Sequence, residues 1–322
     1  MPSSFLHLVT KHLLLSILFT FSNNWMLFSL LSTCSRTVMA TAKYSTPSSL
    51  LAPPVKALVS PGECQFGDSP ISVPLLERTQ VSPTTCVLRF GLPDKDKPLN
   101  LSTCACILAN ANIDGQDVTR PYTPFSTNQQ IGSFDLLVKD YGPEFGTMSY
   151  YLCSRINVGD QVAFKHIPFN VKTQAPFDYD RICMLVGGTG ITPFIQALHA
   201  ILGDESSKTP RVTMLYGSKV ADDILGYELL HKWAQDYPDR FELVDVLSDE
   251  PEGTEWKGLR GYINRELVEK YFPQPSDNSK FQIWICGPPP MYNALTGPRE
   301  DKEKVSGLLG EMGYSPSQIY KF

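Results

Sequence analysis

"RICMLVGGTGITPFIQALHAIL", residues 181–202, is the stretch on which the fold turns. Its opening, "RICMLVGG", is a continuous apolar run after Arg181, the pattern of a strand covered on both faces. A glycine-rich turn follows. "PFIQALHAIL" (193–202) then has the length and apolar content of a helix, with Pro193 in the first turn, where a missing N–H costs nothing. Further on come a strand "RVTMLYG" (211–217), a helix "DILGYELLHKWAQDY" (223–237) and a strand "FELVDVLS" (241–248). A helix around "NRELVEKYF" (264–272) and a strand "FQIWICG" (281–287) complete the series. Strands alternating with helices predict an α/β domain with a doubly wound parallel sheet over residues 176–322.

Working back from residue 176, the style changes. "SVPLLERTQ" (72–80), "TTCVLRFGL" (84–92), "STCACILANA" (102–111), "FDLLVKDY" (134–141) and "DQVAFKHI" (160–167) read as short strands between turns. They predict an antiparallel β-barrel over residues 70–175, with helical character only in "TMSYYLCSR" (147–155). Residues 46–69 are rich in Pro and Ser and read as a linker. The first 62 residues hold no Asp or Glu, and "LLLSILFTFSNNWMLFSLL" (13–31) is apolar except where Asn23 and Asn24 interrupt it. As a helix it would rise about 28 Å, close to a bilayer core. A removable targeting address and a membrane anchor both fit residues 1–45, and either lies outside the fold.

The 322 residues suffice for two cores, and 42% apolar with 19% charged residues is a soluble globular composition. A net charge of −5 argues against nucleic acid as the partner. The eight cysteines form no CxxC pair, so neither a zinc site nor a disulfide framework is expected. Buried free thiols in a reducing compartment fit better. The five histidines are dispersed and show no metal spacing.

Four motifs carry chemistry. In "VGGTGITPF" (186–194) glycines allow close backbone approach to a ligand, and the helix start favours phosphate. A plain tight turn would look similar. In "RPYTPFS" (120–126), Arg120 offers a fork of donors suited to phosphate. Tyr122 offers a ring, Thr123 and Ser126 offer hydroxyls, and Pro121 and Pro124 keep the segment extended. An edge strand with an ordinary ion pair is the plainer reading. "LVKDYG" (137–142) puts Lys139 and Tyr141 on one face of a strand, and "GTMSYYL" (146–152) places Gly146, Met148 and Ser149 at a helix start. Finally "CGPPPMY" (286–292) ends a strand on a thiol and three prolines, a stiff exit, with a small buried packing residue as the plain reading of Cys286.

Taken together and in this order, residues 70–322 resemble the NADH–cytochrome b5 reductase family, within the ferredoxin–NADP reductase-like flavoproteins. Arg-x-Tyr-Thr-x-x-Ser is matched by Arg120, Tyr122, Thr123 and Ser126. Gly-x-Gly-x-x-Pro is matched by Gly188, Gly190 and Pro193, and Cys-Gly-Pro-Pro by Cys286 to Pro289. The aromatic carboxy terminus "IYKF" is similar too.

The resemblance implies FAD in the barrel, NADH on the α/β domain and the flavin ring in the cleft between them. Arg120, with Pro121 beside it, would face the FAD phosphates, and Tyr122 and Thr123 would lie along the ring, Thr123 near N5 or O4. Lys139 and Tyr141 would meet the phosphate and adenosine side, and Gly146, Met148 and Ser149 the pyrophosphate. Thr192 would reach the ring from the second domain. Gly187, Gly188, Thr189 and Gly190 would face the nicotinamide nucleotide, with Asp223 in the acidic turn. Cys286, Gly287, Pro288 and Met291 would wall the place where nicotinamide stacks on flavin, with Thr123 and Cys286 as the catalytic pair. The implied activity is hydride transfer from NADH to FAD and single-electron release to a haem protein, cytochrome b5; a monomer is the default expectation for the catalytic part. An endoplasmic reticulum or mitochondrial membrane, or an organelle interior after cleavage, would be its location.

Departures from the family pattern leave alternatives open. Thr147 stands where a lysine is common, and "FKHIPFNVK" (164–172) replaces Arg-Gly-Pro, so His166 is given no role. Ser218 and Lys219 suit a 2′-phosphate, which keeps NADPH and another one-electron acceptor, an iron–sulfur protein or quinone, in view. A membrane-tethered interaction protein without turnover is the remaining alternative. The chain is net acidic where docking to cytochrome b5 wants basic surface, with Lys165 and Lys172 as a local patch.

Overall fold

A computed structural model of the chain describes residues 46–322, apart from 57, 168–169 and 207–208. The expected address, residues 1–45, lies outside the described residues. Among the described residues no helix is long and apolar enough to cross a membrane.

Six antiparallel strands come first: β1 (Ile71–Ser82), β2 (Thr85–Gly91), β3 (Ile107–Ile113), β4 (Gln116–Tyr122), β5 (Ser133–Lys139) and β6 (Gln161–Lys165). Their order is β4-β3-β6-β1-β2-β5, a curled half-barrel. Inside it Phe66, Phe90, Phe134 and Phe164 pack ring against ring, with centroids 4.9–5.8 Å apart. Such pairs add about 0.5–1.5 kcal/mol each beyond area burial. Pro121 lies in β4, an edge strand, where its missing N–H costs no ladder bond. Helices α1 (Gly142–Phe145) and α2 (Thr147–Tyr150) follow β5, and α2 runs on into a π-helical turn, Tyr151–Arg155.

The second sheet is parallel: β7 (Arg181–Gly187), β8 (Arg211–Ser218), β9 (Phe241–Leu247), β10 (Leu259–Arg260), β11 (Phe281–Cys286) and β12 (Ile319–Lys321), ordered β10-β9-β8-β7-β11-β12. Helices α3 (Thr192–Leu202), α4 (Tyr227–Asp236), α5 (Arg265–Tyr271), α6 (Pro289–Leu295) and α7 (Gly307–Glu311) belong to this half. Ile182, Met184 and Val186 of β7 enter one core with α3, while Cys183 and Leu185 enter another with Tyr292 and Leu309. Both faces of β7 are therefore covered, which explains its continuous apolar run. The chain winds outward from β7 through β8 and β9, then returns to β11 on the other side of β7. The gap between β7 and β11 is thus a topological switch point, where ligands of such sheets bind.

Three expectations are adjusted. The strand expected at 102–111 begins only at Ile107; Ser102–Cys106 is a turn, with Cys104 in the left-handed region at φ 59°. The strand β4 was foreseen only as an edge-strand alternative, and α1 was not foreseen. Residues 46–69, expected as a linker, are anchored to both halves at a few of the described positions. Leu50 is buried against the α/β core and Phe66 in the barrel core, the Val55 N–H donates to His199 Nδ1 (3.2 Å), and Trp233 Nε1–H donates to the Ala52 carbonyl (3.2 Å).

Candidate active site

The two sheets meet along a cleft of about 730 Å³ that runs from α2 to the carboxy terminus. One wall comes from the barrel. Arg120, Pro121, Tyr122 and Thr123 enter it where β4 ends, and Lys139 where β5 ends. Tyr141, Gly146, Met148 and Ser149 follow from the helical segment. The other wall comes from the switch point: Gly187, Thr189, Gly190, Thr192 and Pro193 after β7, and Cys286, Gly287 and Pro288 after β11. Four residues expected at the site do not line it. Ser126 spends its Oγ on the Asp135 N–H (2.9 Å), tying the β4 exit to β5. Gly188 supplies the turn through a φ of +52°. Asp223 holds Lys139 across the domain boundary (3.5 Å), and Met291 stands behind Gly187 and Gly287.

Close backbone approach explains the glycines. A Cβ on Gly190 would overlap the Cys286 carbonyl, and one on Gly187 would press on Met291 Sδ at 2.7 Å and Pro288 Cδ at 2.8 Å. The ends of β7 and β11 are therefore in contact because neither carries a side chain there. The prolines after Cys286 supply the N-terminal turn of α6, with Pro288 extended at its cap.

Among the described residues, four cations (Arg120, Lys139, Lys172 and Arg299) and no Asp or Glu side chain line the cleft. Arg120 uses one guanidinium nitrogen on the Thr119 carbonyl (2.8 Å), which leaves its other donors for a ligand. The first N–H groups of α2 lack intrahelical acceptors, as at any helix start. Burial pushes the Tyr122 hydroxyl far above its ordinary range, so the ring enters the cleft neutral. Burial likewise raises the Cys286 thiol to about 11, although Arg299 pulls the other way. Cys286 is a neutral thiol at physiological pH.

Sequence reasoning named Lys172 only as part of a basic surface patch and missed the rest of the far end of the cleft, Cys106, Asn170, Arg299 and Phe322. Asn170 is buried there with its Nδ2 unpartnered, an orphan donor beside the cleft. Arg299 Nε donates to the Phe322 carbonyl, which also accepts from Tyr292 Oη (2.8 Å). Lys302 is pushed down to about 8 by burial and then by Arg299, Lys172 and Lys321 nearby. The "GPREDKEK" run (297–304) signalled charge, but only the fold brings it to the cleft.

These residues fit a dinucleotide and a flavin: phosphate-seeking cations on the barrel wall and at the far end, a glycine-walled slot after β7 and β11, and an orphan amide donor at the far end. The profile of the oxidoreductase FAD-binding domain matches residues 72–167, and that of the oxidoreductase NAD-binding domain residues 184–296. "NADH-cytochrome b5 reductase 2" of Neosartorya fischeri is 37% identical over 257 residues, covering 78% of this chain and 77% of the relative. "NADH-cytochrome b5 reductase 1" of Debaryomyces hansenii is 40% identical over 242 residues, covering 74% and 82%. The cytochrome b5 reductase domain of Ulva prolifera nitrate reductase superposes with a TM-score of 0.64 at 26% identity, over 82% of this chain and 99% of that one. With its two half-domains, its switch-point cleft and these relatives, the chain belongs to the NADH–cytochrome b5 reductase family.

Proposed function

We propose that this protein takes a hydride from NADH onto FAD in the interdomain cleft and passes single electrons to a haem protein, cytochrome b5. The observation that carries the reading is the contact of the β7 and β11 ends, which sets Cys286, Gly187, Thr189 and Gly190 opposite the Arg120–Thr123 wall. When bound, FAD supplies two-electron acceptance and one-electron release, so the protein's work is orientation and electrostatics. Arg120 would hold the FAD phosphates, Met148 and Ser149 would meet the pyrophosphate, and Tyr122 and Thr123 would meet the ring. Lys139 and Tyr141 would serve the phosphate and adenosine side, and Thr192 would meet the ring from the second domain. Cys286 presents a compact, uncharged, polarizable sulfur to the nicotinamide. Pro288 and Met291 keep that wall in place.

The turn after β8 supports NADH over NADPH. Ser218 is buried, the Asp249 N–H donates to the Lys219 carbonyl (2.8 Å), and the Glu250 carboxylate accepts from the Ala221 N–H (2.8 Å) in the same turn. That hydrogen bond and one from Thr254 hold the Glu250 carboxyl below its usual range, so it opposes a 2′-phosphate. Lys172, Arg299 and Lys302 form a basic patch beside Phe322, which suits an acidic acceptor despite the net charge of −5. A monomeric state and association with an endoplasmic reticulum or mitochondrial membrane through residues 1–45 complete the proposal; the apolar run at 13–31 supports the latter.

The test is turnover by the full chain loaded with FAD, with ferric cytochrome b5 as acceptor and reduction of the haem followed by absorbance. NADH should drive it and NADPH should do so poorly, and K219T should leave the NADH rate unchanged. NADH oxidation that reaches ferricyanide but never cytochrome b5 would remove the assigned acceptor.

A further inference from the structure

Helix α3 is held at both of its ends. At its start the barrel holds it directly: the Cys104 N–H donates to Gln196 Oε1 (2.7 Å), Cys104 Sγ–H to the Pro193 carbonyl (3.2 Å), and Gln196 Nε2–H to the Pro124 carbonyl. Its last turn meets the segment before β1 instead. The Val55 N–H donates to His199 Nδ1 (3.2 Å), and Lys56 pairs with Asp204 just beyond the helix (2.6 Å). Gly203 ends the helix at φ −76° and ψ −5°, angles open to any residue, so the turn itself does not require glycine. A Cβ there would stand 2.6 Å from the Lys56 nitrogen, and 2.7 Å from the Val55 carbonyl carbon and the His199 carbonyl oxygen. Its absence lets the two backbones touch.

The segment that makes this contact is itself fastened to both halves. Leu50 is buried in the α/β core, and the Ala52 carbonyl accepts from Trp233 Nε1–H of α4 (3.2 Å). Further on, Phe66 is buried in the barrel core. Gln65 donates its N–H to the Leu99 carbonyl (3.0 Å) and its side-chain amide to the Pro98 carbonyl (2.7 Å). Val55 and Leu58 of the segment, Leu99 and Leu101 of the barrel, and Gln196 and His199 of α3 surround a cavity of about 30 Å³ where the three pieces meet. That is room for a water but for no larger ligand, so the contact is a joint and not a binding site.

We propose that residues 50–56 and 58–66 form a second clamp between the barrel and the α/β domain, with Val55 as a positioning residue that acts through His199 and α3 on the width of the cleft. The argument is one of leverage. α3 begins at Thr192, which lines the cleft, and its 11 residues span about 16 Å. A hold at Pro193 and Gln196 alone leaves the helix, and the sheet packed on it, able to pivot about that point. The second hold, at His199 and Gly203, lies about 10 Å beyond Gln196 and removes the pivot. Tyr122 and Thr123 form the opposite wall from Thr192 and Pro193, so a pivot would change the separation of the two. A misplacement of about 1 Å costs a reacting pair up to about 100-fold in rate. The effect on hydride transfer rests on the function proposed above; the clamp does not.

The test compares the full FAD-loaded chain with V55P, which removes the N–H that His199 accepts, and with K56E, which sets like charges against Asp204. One readout is hydrogen–deuterium exchange at the Cys104 amide, whose acceptor is on α3. The other is the anaerobic single-turnover rate of flavin reduction across NADH concentrations. In V55P the Cys104 amide should exchange about 10-fold faster, while amides inside the two sheets, such as those of Val87 and Leu185, keep their rates. The limiting rate of flavin reduction should fall about 10-fold, and the NADH concentration giving half that rate should change less than about twofold. K56E, a change at an exposed side chain, should move the same readouts the same way by a smaller factor, and it carries the test if V55P does not fold. Unchanged Cys104 exchange in the variant that folds, or an equal quickening at Val87 and Leu185, would overturn the clamp. Faster Cys104 exchange with an unchanged reduction rate would overturn its control of the cleft. Faster exchange in the variant, where NADH fails to reduce even the unaltered protein, would refute the flavin reading and leave the clamp standing.

Discussion

At the scale of single residues, the role proposed for Cys286 is the one most open to test. Its thiol is raised to about 11 by burial, so it carries no charge where hydride would pass. Flavin reduction by NADH should therefore show no step assignable to Cys286 between pH 6 and about 9, the ordinary thiol range. C286A should keep FAD bound yet slow reduction by about 10- to 100-fold, because a slot that loses one wall lets the nicotinamide drift from its reacting geometry. An unchanged single-turnover rate in C286A would return the residue to packing. The raised value also bears on stability. A thiol with a raised folded pKa favours the folded state fully below its unfolded value, 9.0, and that contribution is lost as pH rises through about 11. Cys64 and Cys183, raised to about 11 and about 12, act with the same sign. The melting temperature should fall progressively above pH 9, and less so when Cys183 is replaced by alanine.

At the scale of elements, the strand ends of β7 and β11 matter most. G190A would drive a methyl into the Cys286 carbonyl, a backbone clash that no rotamer relieves. Overpacking of this kind costs about 1–3 kcal/mol, so urea unfolding should shift by that amount and NADH-driven reduction should fail together with it. Wild-type stability in G190A would mean that the contact is not tight. Lys139 and Asp223 join β5 to the turn after β8 with side chains 21% and 17% exposed. A double-mutant cycle should give a coupling of about 0.5–1 kcal/mol, reduced by salt. The parallel sheet was legible because both faces of its strands are covered, leaving apolar runs with helices between them. The strand β4 was harder to read, since "QDVTRPY" is an edge strand with only Val118 buried. The turn at Cys104 was hidden by apolar side chains that look like a strand; Cys104 instead donates its thiol to the Pro193 carbonyl (3.2 Å) and its N–H to Gln196 Oε1 (2.7 Å) of α3.

At the scale of the whole molecule, the segment before the barrel behaves as a strap. Between residues 46 and 66 it buries Leu50 on one domain and Phe66 in the other, and its Val55 N–H is held by His199. Burial depresses the His199 imidazole to about 4, so Nδ1 remains an acceptor at neutral pH. A histidine with a lowered pKa contributes stability above its unfolded value, 6.5, that is lost as pH falls through about 4. Proteolysis near residue 55 should accelerate across that window, and an H199F variant should lose the acid step. The strap was illegible in sequence because Pro- and Ser-rich composition describes a chain without regular structure, whether or not it packs. The far end of the cleft was illegible for a related reason: Asn170, Lys172, Arg299 and Phe322 converge only once β11 and β12 lie side by side.

The most direct measurement is anaerobic stopped-flow absorbance on the full chain loaded with FAD, mixed with NADH and then with ferric cytochrome b5. Rapid bleaching of the flavin followed by its recovery as the haem is reduced is the predicted result. A flavin that NADH leaves oxidised would contradict the account.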